Sequence, residues 1–98
     1  MDNNKKARLI APWVNPDERV TVDFEDERDL NVEVIGCTNE LVDLSLETGF
    51  PHVRQTISVP LGDVEVGEDR SRYTRDPDKP VQRHRLRLVI TGKRPEAG

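Results

Sequence analysis

The chain of 98 residues contains one cysteine, one tryptophan, one tyrosine and two phenylalanines. A lone Cys37 excludes an internal disulfide and any zinc site built from several cysteines. No stretch approaches the roughly 20 consecutive apolar residues of a membrane-spanning helix, and Met1 to Arg8 is too polar for a secretion signal. The expected setting is therefore soluble and cytoplasmic, away from membranes. Hydrophobic residues make up 34% of the chain and aromatics 4%, against 35% charged. That composition borders on the disordered regime, so order has to come from where the few apolar residues stand. The length suits one domain with a single thin core.

Chemistry-bearing patterns are also missing. His52 and His84 stand in no HxxxH or HxH spacing and beside no cysteine pair, which leaves a metal site without local support. Asp23, Glu25, Asp26, Glu27 and Asp29 have the composition of a calcium loop but lack its glycine and its closing glutamate. Cys37 sits in no cysteine-nucleophile motif. With no triad, phosphate loop or metal motif, the expectation is a protein that is not an enzyme and needs no metal or cofactor.

What is present is alternation. Val20, Val22 and Phe24 alternate with Thr21, Asp23 and Glu25, and Leu30, Val32 and Val34 alternate with Asn31 and Glu33. Period two of this kind marks half-buried strands, here joined by the polar turn Asp26 to Asp29. Leu44 and Leu46 flank Ser45 after a loop over 36–40. Residues 56–66 are extended, with Ile57, Val59 and Leu61 on one face and Pro60 demoting the strand to an edge or bulge. Leu86, Leu88 and Ile90 alternate with Arg85, Arg87 and Val89 in a last strand over 83–91. Arg8 to Ala11 reads as a short edge strand stopped by Pro12, and no helical periodicity exceeds a turn. Trp13 is expected to cap one end of the core, with a stacking platform for a base as its functional alternative. The predicted fold is all-β: five or six antiparallel strands curled into a small barrel over residues 8–91. Residues 1–7 and 92–98 are expected to be disordered. The core-facing positions are Val20, Val22 and Phe24; Leu30, Val32 and Val34; Leu44 and Leu46; Ile57 and Val59; and Leu86, Leu88 and Ile90.

Charge is distributed unevenly. Residues 1–68 hold 6 Lys/Arg against 15 Asp/Glu, a net of −9, and residues 69–98 hold 9 against 4, a net of +5, which together make the chain's −4. An acidic body disfavours a general binder of duplex DNA. Within the basic third, a long loop over 67–80 carries Arg70, Arg72, Tyr73 and Arg75. Arginine forks bind phosphate and stack on flat rings, and a tyrosine among them offers a surface for a base. These four residues are the candidate ligand site. Arg85 and Arg87 have a structural reading instead: in a closed barrel the last strand would pair with the first and set them opposite Asp23 and Glu25.

Two stretches carry family resemblances. Over Val20 to Gly36 the pattern VxVxFxDxRxLxVxVxG resembles the first conserved segment of Sm-like proteins, which are small closed barrels that bind RNA as rings. Asp43-Leu44-Ser45-Leu46-Glu47-Thr48-Gly49 is similar to the Asp/Asn-x-Ser-x-x-Gly motif of PilZ domains, with its glycine one residue later; those domains bind cyclic di-GMP on a small β-barrel. Both imply a compact antiparallel barrel. The resulting expectation is a non-catalytic module for an anionic nucleotide-containing ligand, RNA or a cyclic dinucleotide. The alternative is a protein–protein interaction or scaffold domain with no nucleotide ligand. Oligomeric state is not written in any of these patterns.

Overall fold

The computed structural model describes residues 1–69 and 85–96. Helix α1 (Asn3–Ile10) runs into a 3-10 turn, Ala11–Trp13, and six strands follow: β1 (Val20–Asp23), β2 (Leu30–Cys37), β3 (Leu41–Glu47), β4 (Arg54–Pro60), β5 (Val64–Asp69) and β6 (Arg85–Ile90). They form one curled sheet in the order β4-β3-β2-β1-β6-β5. The chain is thus mostly β, as its alternation predicts.

Two features of the expected barrel are corrected. The ladder is mixed rather than antiparallel, because β6 lies parallel to β1, with Thr21 opposite Arg87 and Asp23 opposite Val89. The sheet also stops at β4 and β5 without closing. The physical reason for both lies in the fifth segment. Residues 56–66 are not one bent strand, because a 3-10 turn at Leu61–Asp63 divides them into β4 and β5. The chain then pairs β5 with β6, and among the described strands none but β3 pairs with β4. Pro60 does lie on an edge strand, where a missing N–H is tolerated.

The inner face matches the alternation closely. Val20, Val22, Val32, Val34, Leu44, Leu46, Leu88 and Ile90 are buried, and so are Phe24, Ile57, Val59 and Leu86. Leu30 is only half-buried, because it opens β2 at the rim and packs against the core from outside. Val42, Leu61, Val64 and Ile10 complete the core. Between Val34 and Gly36 the β2–β3 register shifts by a bulge. The extra residue turns Ile35 outward, as bulges re-aim side chains.

Residues 3–10 form α1, so the short edge strand expected over Arg8 to Ala11 is helical instead. Asp2 caps the helix, its carboxylate accepting from the Lys5 N–H at 2.8 Å, and Ala7 and Ile10, three apart, turn one helical face to the core. Lys6 Nζ donates to the Leu61 carbonyl at 2.7 Å, which ties α1 to the turn after β4. Trp13 is half-buried against the core, in keeping with a capping role. Beyond β6, residues 92–96 cross the β1–β2 turn, where the Glu25 N–H donates to the Gly92 carbonyl at 2.9 Å. Gly92 takes φ +100°, a conformation that favours glycine.

Candidate binding surface

The outward face of the sheet carries the polar side chains that alternate with the core. One polar cluster spans the seam between β1 and β6. Arg87 reaches across it, with Nη1 2.6 Å from Asp23 Oδ2 and Nη2 2.9 Å from Asp29 Oδ1. The parallel register shapes this pair: Arg87 stands opposite Thr21 and meets Asp23 diagonally, whereas Glu25 lies beyond the end of β1. Arg85 donates to Asn31 Oδ1 at 3.0 Å. Arg87 therefore finds one of the acidic residues that sequence placed opposite it, and Arg85 finds neither.

Asp23 also organises the turn. It accepts the Asp29 N–H at 2.8 Å, and Asp29 holds a left-handed φ of 58°, which aspartate tolerates better than most residues. Burial alone would raise the Asp23 carboxyl. The Asp29 N–H and Arg87, through both its hydrogen bond and its charge, outweigh that and hold the group below its ordinary value.

A second cluster covers β3 and β4. Arg54 Nε donates to Ser45 Oγ at 2.6 Å and its Nη2 to the Ser45 carbonyl at 2.7 Å, with Glu47 4.0 Å away. Ser58 Oγ donates to Asp43 Oδ1. Arg19 pairs with Glu33 at 3.5 Å. The third cluster is centred on Arg94. Its N–H donates to Asp26 Oδ1 at 2.9 Å and its Nε to Gln55 Oε1 at 3.0 Å. Nη1 lies 3.1 Å from Glu27 Oε2 and Nη2 2.5 Å from the Glu47 carbonyl. One side chain thus joins the β1–β2 turn to the β3–β4 hairpin.

Among the described residues no group of histidine, cysteine and carboxylate side chains could hold a metal ion. Cys37 is half-buried, and burial, with Asp43 nearby, pushes its thiol up, away from the thiolate a nucleophile needs. His52 is exposed on the β3–β4 loop at φ 64°. That loop is held by Thr48, whose hydroxyl donates to the Val53 carbonyl at 2.7 Å, and it presents Phe50, 73% exposed. An open depression of about 300 Å³ lies on α1, lined by Asp2, Asn4, Lys5 and Arg8; it is helix surface without convergent buried groups.

The sequence-predicted ligand residues Arg70, Arg72, Tyr73 and Arg75 lie outside the described residues, as does His84. The start of their loop, Gly67 to Asp69, is the end of β5. Sequence reasoning missed Arg94 altogether, and no local signal marks it, since its partners are 39 and more residues away along the chain. No described helix is long and apolar enough to cross a membrane. No protein-family model, curated protein or solved structure matches the chain.

Proposed function

We propose that this chain is a non-catalytic binding module whose partners are proteins. The observation that carries the reading is the use made of its guanidinium groups. Arg19, Arg87 and Arg94 each meet a carboxylate of their own chain, and Arg54 folds back on Ser45. Forks engaged in this way stiffen the sheet and are not presented to a phosphate. The open edge at β4 and the exposed Phe50 and Val53 on the β3–β4 loop suit a protein surface instead. The acidic residues 1–68 would favour partners presenting basic segments, and a reducing cytoplasmic setting suits the lone thiol.

A second reading is favoured by one feature of the sequence, the run Arg70, Arg72, Tyr73 and Arg75 in an otherwise acidic chain. On that reading the module takes RNA or a cyclic dinucleotide, and kinship with Sm-like or PilZ barrels would go with it. Adding cyclic di-GMP and short single-stranded RNAs to isotope-labelled protein tests the choice. The expected result is no saturable amide shift. Saturable shifts centred on Arg72 and Tyr73 would replace the protein-binding reading with the nucleotide one.

A further inference from the structure

β4 is the outermost strand on its side of the sheet, and β3 is its one ladder partner among the described strands. The β3–β4 ladder keeps a single register from Leu41 opposite Pro60 to Glu47 opposite Arg54. The next pair out is bonded directly, the Leu61 N–H donating to the Glu40 carbonyl at 2.9 Å. In an antiparallel ladder, residues that exchange bonds with their neighbour alternate with residues whose N–H and C=O point away. Counting back from Leu61, the residues Val59, Ile57 and Gln55 bond toward β3. Arg54, Thr56 and Ser58 therefore aim their backbone groups at the open side. Pro60 belongs to this outward set, where its missing N–H takes nothing from the β3 ladder.

Exposed edges are ordinarily blunted by lysines, prolines, inward-pointing charges, bulges or very short strands, and of these β4 has only a proline, at its last position, Pro60. β4 has 7 residues and an unbroken register. Its inward positions Gln55, Ile57 and Val59 are uncharged, and its one charge, on Arg54, is folded back onto β3. The opposite edge, β5, is built differently. It carries Glu65, Glu68 and Asp69, and α1 packs against it.

We propose that β4 is a self-association edge, onto which β4 of a second copy of this chain adds antiparallel about a two-fold axis at Ile57. The proposal rests on the protein-binding reading above and names its partner. In this register Thr56 faces Ser58 of the partner subunit, and the two exchange both backbone bonds. Arg54 faces the partner's Pro60, whose carbonyl accepts the Arg54 N–H. Hydroxyl meets hydroxyl on the outer face, Ile57 meets its own copy on the inner face, and no like charges stand opposite. Moving the axis to Arg54 would bring two guanidiniums together, and moving it to Pro60 would set two residues without N–H groups face to face. Ile57 and Val59 remain 8% and 7% exposed, against 0% for Val42 and Leu44 beside them in β3, so the added strand would finish their burial.

Amide hydrogen exchange on the whole chain, at roughly ten micromolar and roughly one millimolar, reads the register directly. The amides of Arg54, Thr56 and Ser58 should slow by roughly tenfold or more at the higher concentration, while those of Gln55, Ile57 and Val59 are slow at both. Sedimentation of Thr56→Pro should show the dimer lost with the far-ultraviolet spectrum kept, because that N–H has no bonding partner among the described residues. Should that variant fail to fold, the exchange pattern of the parent still decides. Outward amides indifferent to concentration overturn the proposal. A dimer that survives Thr56→Pro overturns the edge and leaves a module that associates elsewhere. A chain that stays monomeric and shifts with cyclic di-GMP overturns both readings.

Discussion

The middle of the sheet and its β4 flank are written in the same alternating code, yet they are sealed differently. Val20, Val22, Val32, Val42 and Leu44 are fully buried, whereas Gln55, Ile57 and Val59 keep 7–9% of their surface open. Among the described strands β4 has one neighbour where the inner strands have two. What covers a strand matters as well: Val64, on the other edge strand but packed by α1, is fully buried, while Leu86 inside the sheet keeps 7% of its surface open. Each region also has its own polar fastening: Arg87 across the β1–β6 seam, and Arg94 between the β1–β2 turn and the hairpin that carries β4.

Truncating one apolar side chain in each region would give the largest effect. Leu44→Ala, at the centre, should cost about 2–5 kcal/mol, the range for a fully buried leucine whose site cannot collapse. Ile57→Ala should fall at or below about 2 kcal/mol, because the flank can relax into the space. Denaturant midpoints with unchanged slopes would bear this out; equal losses at the two sites would remove the contrast.

Arg94→Ala comes next, at about 1–3 kcal/mol, since charge-assisted bonds to Glu27, Gln55 and the Glu47 carbonyl go together. Its signature is regional: faster amide exchange in β4 and in the turn at Asp26, with β2 unaffected. A uniform loss of protection would show that Arg94 holds the whole fold and no particular part of it.

Arg87→Ala should lower stability by up to about 1 kcal/mol through the lost cross-strand partner. The same pair sets an acid dependence. The folded Asp23 carboxyl is held below its ordinary value of 3.8. Its contribution is therefore fully present above that value and is lost as pH falls through the lower, folded-state value. Asp23→Asn should flatten that part of the stability curve. An unchanged acid limb would place the titration elsewhere.

The smallest change is expected from Arg72→Ala, within about 0.5 kcal/mol in stability. Should a nucleotide bind, this variant would weaken it and flatten its salt dependence. Full binding by the variant would count against any role for the 70–75 run.

Most of the strands were legible because period-two alternation is a local property. Thirteen positions were predicted to face the core, and of these only Leu30, at the rim, is less than buried. Helix α1 was within reach: Asp2 three residues before Lys5, with Ala7 and Ile10 on one face, is a start signal followed by helical spacing. The short run Arg8 to Ala11 reads equally well as a strand when taken by itself. The candidate surface was less legible. Arg87 with Asp23 was anticipated from charge, but Arg94 was not, because nothing in a sequence states where a residue after the last strand will come to rest.

The sequence by itself determined which residues face inward and that acidic and basic stretches are segregated. These follow from local sterics and from the two-residue repeat of an extended chain. Only the tertiary structure decided the direction of β6 and the failure of the sheet to close. It also decided that an arginine from the chain end fastens the β1–β2 turn to the β3–β4 hairpin, and that β4 is left with an open side. Each of these depends on where the 3-10 turn at Leu61–Asp63 sends the chain, and pairing between strands far apart in sequence is settled by packing over the whole sheet.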